Sequence, residues 1–349
     1  MTLAMFNDDA YNFRSKLIGI YLTLIVANLL AWGCALIAFR NYPVLLGTSL
    51  LAYILGLRHA FDADHIAAID NVTRKLMQEN KRPVAAGFFF SLGHSSVVVA
   101  LSIAIAATAA QLHDNFSQFK AVAGVIGSSI SAVFLFAIAA ANVLVLAGVF
   151  KTFHRVKQGG HTVEQELDQL LAQRPLFRRL FRLVDRSWHM YPVGVLFGLG
   201  FDTATEIGLL GISAAQGSHG LPIWAILVFP ALFTAGMSLA DTLDSTLMMR
   251  TYGWALANPI RKIYYNMTII FVSVLIALLV GGVELLGLIA GKLSLDGLFW
   301  GYIAILSENF GALGVIIVTI FAISWGISVA IYRAKGYDDV PQETASMLE

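Results

Sequence analysis

Long apolar runs alternate with short polar connections along this chain. Runs of about 20 mostly apolar residues, long enough to cross a hydrocarbon core, fall at roughly 17–39, 44–70, 84–110, 121–150, 190–215, 222–248, 264–290 and 311–332. They are too long for barrel strands, and a helix satisfies its own backbone in lipid. The pattern predicts an all-α integral membrane protein, a polytopic bundle of eight transmembrane helices forming one domain over residues 1–349. The stretch 292–308, with Trp300 and Tyr302 among moderately apolar residues, reads as an interfacial segment rather than a ninth span.

Composition agrees. Hydrophobic residues make up 58% of the chain and charged residues 13%, where a soluble domain is nearer a quarter charged. The lipid bilayer is therefore the expected solvent. A net charge of +1 argues against a nucleic-acid partner. The single cysteine, Cys34, allows neither a disulfide framework nor a thiolate metal site. The opening MTLAMFNDDAYNFRSK lacks the shape of a cleavable signal, so the first span is expected to remain as an anchor.

Lysines and arginines set the orientation. With the N-terminus in the cytoplasm, all of the 23 basic residues except Arg40, Lys120, Lys292 and the intramembrane Arg58 fall on the inner side. Both termini are then cytoplasmic. The 151–188 connection becomes a cytoplasmic loop. Its segment VEQELDQLLAQRPLFRRLFRLVDR has the pattern of a basic amphipathic helix lying along the headgroups; a sensing role for His154 and His161 is the other reading.

Four spans carry polar groups. The second includes LRHAFDADHIAAIDN at 57–71, with Arg58, His59, Asp62, Asp64, His65 and Asp70. The third has His94, Ser95 and Ser96. The fifth has Asp202, Thr203, Thr205 and Glu206, and the sixth Ser238, Asp241, Thr242 and Asp244. A charge at the bilayer centre costs about 2.5–3.5 kcal/mol on insertion scales, so such groups face a cavity or one another. Packing contacts with Arg58 would account for single residues, but acids and histidines outnumber this base. On a continuous helix turning about 100° per residue, His59, Asp62, His65, Arg58 and Asp70 share one arc, with Asp64 opposite. Either the helix breaks at the motif or Asp64 bonds a neighbouring helix. Asp202 with Glu206, and Asp241 with Asp244, each share a helix face.

An internal echo accompanies these motifs. FDADHI at 61–66 resembles FDTATEI at 201–207, and SLGHSS at 91–96 resembles TAGMSL at 234–239. Spans two and five run in opposite directions in this topology. The echo therefore raises an inverted repeat, a plan that puts binding sites at the repeat interface near the midplane.

Imidazole and carboxylate without thiolate suit divalent first-row ions such as Ni(II), Co(II), Zn(II) and Mn(II). Ca(II) or Mg(II) would call for oxygens alone. Cu(I) would call for Cys or Met, and only Met237 is near. A proton relay is the competing use of Asp, Glu and His. The two are compatible, because ligands shed protons when they bind metal.

RHAFDADHI at 58–66, FSLGHSSVV at 90–98, LGFDTATE at 199–206 and GMSLADTLD at 236–244 resemble the four signatures of the nickel/cobalt transporter family of prokaryotic membrane permeases. The first contains H-x4-D-H as His59, Asp64 and His65. The resemblance covers nearly the whole chain. It implies high-affinity import of Ni(II), Co(II) or both across the bacterial cytoplasmic (inner) membrane, with the ion as cargo rather than a resident cofactor. It carries over His59, Asp62, Asp64 and His65 as the second-span metal site, His94 as the third-span histidine, and Asp202, Glu206, Asp241 and Asp244 as acids that complete the site or line the path. Asn28, in the first span, is read either as a selectivity contact or as an interhelical hydrogen bond. No phosphate-binding loop is present, so a secondary-type permease is expected rather than an enzyme. The rivals are metal efflux and an intramembrane metalloenzyme.

Overall fold

The computed structural model describes residue 8, residues 13–79 and 81–108, parts of 125–147, and residues 184–199, 204–255 and 259–334. Among these every regular element is helical. In chain order the helices are α1 (Phe13–Phe39), α2 (Pro43–His59), α3 (Ala63–Gln78), α4 (Ala86–Thr108), α5 (Met190–Phe197), α6 (Ala204–Ser218), α7 (Ile223–Ile226), α8 (Val228–Ala255), α9 (Pro259–Leu293), α10 (Leu298–Glu308) and α11 (Phe310–Ala334). A helical stretch also lies within Ser128–Leu144.

Four stretches are long and apolar enough to span alone: Phe13–Phe39, Ala86–Ile105, Ile223–Thr251 and Ile270–Leu293. Two further spans form if each bent pair is counted once. One is α2 with α3, bent by 51°, and the other is α10 with the start of α11, bent by 77°. The segment read from sequence as interfacial is therefore half of a broken span or re-entrant loop. Most of the 151–188 loop, with His154 and His161, lies outside the described residues.

The molecule wears its apolar residues outside. Ile37 is 78% exposed and Leu29 69%, while His59, His65, Asp241 and Ser273 are buried. An apolar surface this extensive calls for a lipid or protein covering, and the chain is a multi-pass membrane protein.

The second span breaks where its polar residues begin. Pro43, which needs no amide partner in a first turn, opens α2. The helix stops at His59. Asp62 adopts an extended conformation (φ −66°, ψ 142°), and α3 restarts at Ala63. Turn bonds keep the broken backbone satisfied: the Phe61 amide donates to the Arg58 carbonyl at 3.0 Å, and the Asp62 amide to the His59 carbonyl at 2.9 Å. The single polar arc expected of a continuous helix does not exist, because His59 and His65 belong to differently directed helices. Asp64 lies in the first turn of α3, where the helix dipole favours a carboxylate.

Glycines set the helix crossings. A methyl added at Gly56 (α2) would lie 2.1 Å from the Phe233 carbonyl oxygen of α8, and one at Gly236 (α8) 2.8 Å from the Tyr53 oxygen of α2. The α4–α5 crossing repeats the arrangement: Gly93 lies against the Tyr191 oxygen and Gly194 against the Phe90 oxygen, each at 2.0 Å by the same construction. In α11, Gly314 abuts the Phe61 carbonyl and Gly311 lies near Asp62 and Arg58, so α11 backs the break. Small residues that let backbones touch are the usual means of helix association in lipid.

Asp8 ties three segments together. Its carboxylate accepts the Ser187 amide at 2.7 Å and the Ser187 hydroxyl. Its carbonyl accepts the Arg82 amide at 2.7 Å. Burial pushes the Asp8 carboxyl above its ordinary value, and the Ser187 bonds act against that.

Gly56→Ala should cost about 1–3 kcal/mol by overpacking. Gly33→Ala, where the new carbon meets nothing within 4 Å, should leave stability unchanged. Membrane abundance and thermal unfolding in detergent check both.

Candidate metal site

Three imidazoles from three helices meet inside the bundle. His59 ends α2, His65 lies in the first turn of α3 and His94 sits mid-α4. Their ring centroids are 4.5 to 4.8 Å apart. One ligand nitrogen from each lies within 4.8 Å of the others, and all three residues are buried. Phe233 and Phe90 wall the cluster, with ring centroids 5.6 Å from His59 and 4.8 Å from His65.

Carboxylates orient the rings. Asp62 Oδ2 accepts the His59 Nδ1 proton at 2.7 Å, and Thr205 Oγ1 lies 3.0 Å from the same nitrogen. That fixes the tautomer and leaves the His59 Nε2 lone pair facing inward, as in many carboxylate–histidine–metal arrangements. His94 Nε2 lies 2.9 Å from His59 Nε2 and 2.9 Å from Glu206 Oε1. Across the cluster, His65 Nδ1 faces Asp241 Oδ2 at 3.4 Å, and Ser91 Oγ donates to that oxygen at 2.5 Å. His65 Nε2 and Asp241 Oδ1 have no hydrogen-bond partner. Such open lone pairs in a buried site fit a cation, which needs ligand atoms rather than donors.

The site thus gathers His59, Asp62, His65, His94, Glu206 and Asp241, with Thr205 and Ser91 as supports. Ser91 was not singled out in the sequence, although it sits one turn from His94 on the same helix. Asp244 follows Asp241 by three residues on α8, and its Oδ2 is buried with no hydrogen-bond partner. Below it, Asp70 Oδ2 accepts from Ser273 Oγ at 3.0 Å. The Asn71 side-chain Oδ1 accepts from Arg74 at 3.1 Å and from Asn142 Nδ2 at 2.6 Å. Asp202 lies outside the described residues.

Asn28 makes interhelical bonds. Its amide donates to the Leu24 and Ala235 carbonyls at 2.9 and 3.3 Å, and its oxygen accepts from Tyr53 Oη at 2.9 Å. These tie α1 to α8 and α2. Bonds of this kind in lipid average about 0.6 kcal/mol.

Fold and cluster together define a multi-pass membrane protein with a buried cluster of nitrogen and oxygen donors, the donor chemistry that suits divalent first-row ions. The chain belongs to the high-affinity nickel-transport protein family, which matches residues 45–331. It is 58% identical over 330 residues to the high-affinity nickel transport protein of Cupriavidus necator, covering 93% of this chain and 94% of that one. It is 45% identical to the nickel transporter NixA of Staphylococcus aureus, over 89% and 92% of the two chains. To the cobalt transport protein NhlF of Rhodococcus rhodochrous it is 40% identical, over 80% and 81%. No solved structure matches.

Asp62→Asn should weaken Ni(II) binding about 10–100-fold, the usual effect of removing a carboxylate that orients a ligand histidine, with membrane abundance unchanged. Titration of the purified protein with Ni(II) checks it.

Proposed function

We propose that this protein imports Ni(II), Co(II) or both across the bacterial cytoplasmic membrane as a secondary-type permease. The observation that carries this reading is the cluster of three buried imidazoles, oriented by Asp62 and Asp241, in a chain of a nickel-transport family. The ion enters from outside, exchanges water for His59, His65 and His94, and leaves past Asp241, Asp244 and Asp70 toward the cytoplasm. Asp64 and Asp202 complete the acidic lining. The membrane potential favours inward movement of a dication, by about 2.3 kcal/mol per charge per 100 mV.

The proposed topology has eight spans and both termini inside. The four single spans and two bent pairs support it, together with the Ser128–Leu144 helix and the α5–α6 segment. The inverted repeat gains support from the glycine crossings. Tyr53 with Gly56 on α2 corresponds to Tyr191 with Gly194 on α5, and Phe90 with Gly93 on α4 to Phe233 with Gly236 on α8. In each crossing the glycine of one helix lies against the aromatic residue's carbonyl on the other.

Cells expressing the chain should accumulate labelled Ni(II) or Co(II) saturably at nanomolar metal, and His59→Ala should abolish that uptake at unchanged membrane abundance. Accumulation below that of empty cells would replace import with efflux. Normal uptake by His59→Ala would remove this site.

A further inference from the structure

We infer that His59, His94 and Glu206 hold the ion in a single plane at near-right angles, and that this spacing selects ions of square-planar or octahedral preference over tetrahedral Zn(II). The inference rests on the import reading above and names what sets its specificity.

The argument is one of distances. His59 Nε2 and His94 Nε2 are 2.9 Å apart, His94 Nε2 and Glu206 Oε1 are 2.9 Å apart, and His59 Nε2 and Glu206 Oε1 are 3.9 Å apart. Metal–ligand bonds to His and carboxylate run about 2.0–2.2 Å. At about 2.05 Å, two donors at a right angle lie about 2.9 Å apart and two opposite donors about 4.1 Å, whereas every pair in a tetrahedron lies about 3.4 Å apart. The triangle of the three atoms has a circumscribed circle of radius about 2.0 Å, so one point in their plane is a bond length from all of them. His94 forms the stem of a T, and His59 and Glu206 its near-opposed arms. A tetrahedral ion would need both short edges to lengthen by about 0.5 Å and the long one to shrink by as much.

The surroundings oppose that adjustment. His59, His94 and Glu206 are each no more than 2% exposed. His59 is clamped at Nδ1 by Asp62 and Thr205. The His94 carbonyl lies 2.8 Å from a carbon added at Gly198, and Gly93 is pressed against α5. His65 Nε2, open and nearby, offers a further donor, and water can fill remaining octahedral positions. Ni(II) and Cu(II) take square-planar or tetragonal nitrogen and oxygen sites, while Zn(II) is almost always tetrahedral in all-protein sites. Geometry alone therefore admits Cu(II) as well as Ni(II).

The test is Co(II) absorption on the purified full-length protein in lipid nanodiscs, followed by Ni(II) titration of the unaltered protein and of Glu206→Gln. The expected result is weak visible bands of a six-coordinate ion, and Ni(II) binding weakened more than about tenfold in Glu206→Gln. Intense bands of a four-coordinate tetrahedral ion would overturn the inference while leaving import intact. So would unchanged Ni(II) affinity in a folded Glu206→Gln variant. Failure of the unaltered protein to bind either Ni(II) or Co(II) would overturn the import reading as well.

Discussion

Backbone contact at glycine is the constraint on which the site depends. Lipid supplies no hydrophobic drive between helices, so association rests on close packing and hydrogen bonds. Gly56 lies three residues before His59, and Gly93 immediately precedes His94. Their contacts with the Phe233 and Tyr191 carbonyls therefore set the depth from which two imidazoles reach the centre. A side chain at either glycine would push α2 from α8, or α4 from α5, and carry the histidine with it. Gly311 and Gly314 do the same for the break, keeping Phe61 and Asp62 against α11. The clustered donors are a few side chains, but their spacing is a property of three helix crossings.

The broken second span solves an electrostatic problem. A continuous helix would spread His59, Asp62 and His65 along one stripe. Ending α2 at His59 turns Asp62 back onto the ring that precedes it, and restarting at Ala63 delivers His65 from a second direction. One carboxylate orients one imidazole on each side of the cluster, Asp62 for His59 and Asp241 for His65. Glu206 stands beside His94 at 2.9 Å. Arg58 stands outside the cluster, exposed and turned toward α11 beside Asp62. On the import reading proposed above, a divalent ion would supply the positive charge that these buried carboxylates call for.

The all-helical, apolar character of the chain and the histidines within its apolar runs were legible in the sequence because each rests on composition alone. Long apolar runs need only counting, and His59, His65 and His94 are the histidines within them. The angular pattern, with Asp64 opposite the polar arc of any continuous helix, allowed either a break at the motif or a bond from Asp64 to a neighbour, and the break is what the second span contains. The partnerships were hidden. Nothing in the spacing joins Ser91 to Asp241 or Thr205 to His59, because those pairs are brought together by crossings between helices distant in sequence. The glycine pattern was present as Tyr-x-x-Gly at 53–56 and 191–194 and as Phe-x-x-Gly-x-Ser at 90–95 and 233–238. Glycine is common in membrane helices, and its meaning emerged only from which carbonyl each one meets. Asn28 shows the converse: a polar residue in a span that reads equally as ligand or tie, and that ties α1 to α2 and α8.

The distribution of donors between the crossings carries a thermodynamic consequence. His59 and Asp241 belong to the α2–α8 pair, His94 to the α4–α5 pair, and His65 to the half-span that joins them. The 2.9 Å separation of His59 and His94 therefore exists only while the two pairs hold this relative position. α4 also packs directly on α8, where a carbon added at Gly87 would meet the Asp241 carbonyl, so the two pairs are held together by the same kind of backbone contact that forms each of them. A ligand shifts a conformational equilibrium by its differential affinity for the states. On the import reading proposed above, an ion bridging His59 and His94 would favour this arrangement over any in which the pairs stand apart, and its release would require them to part.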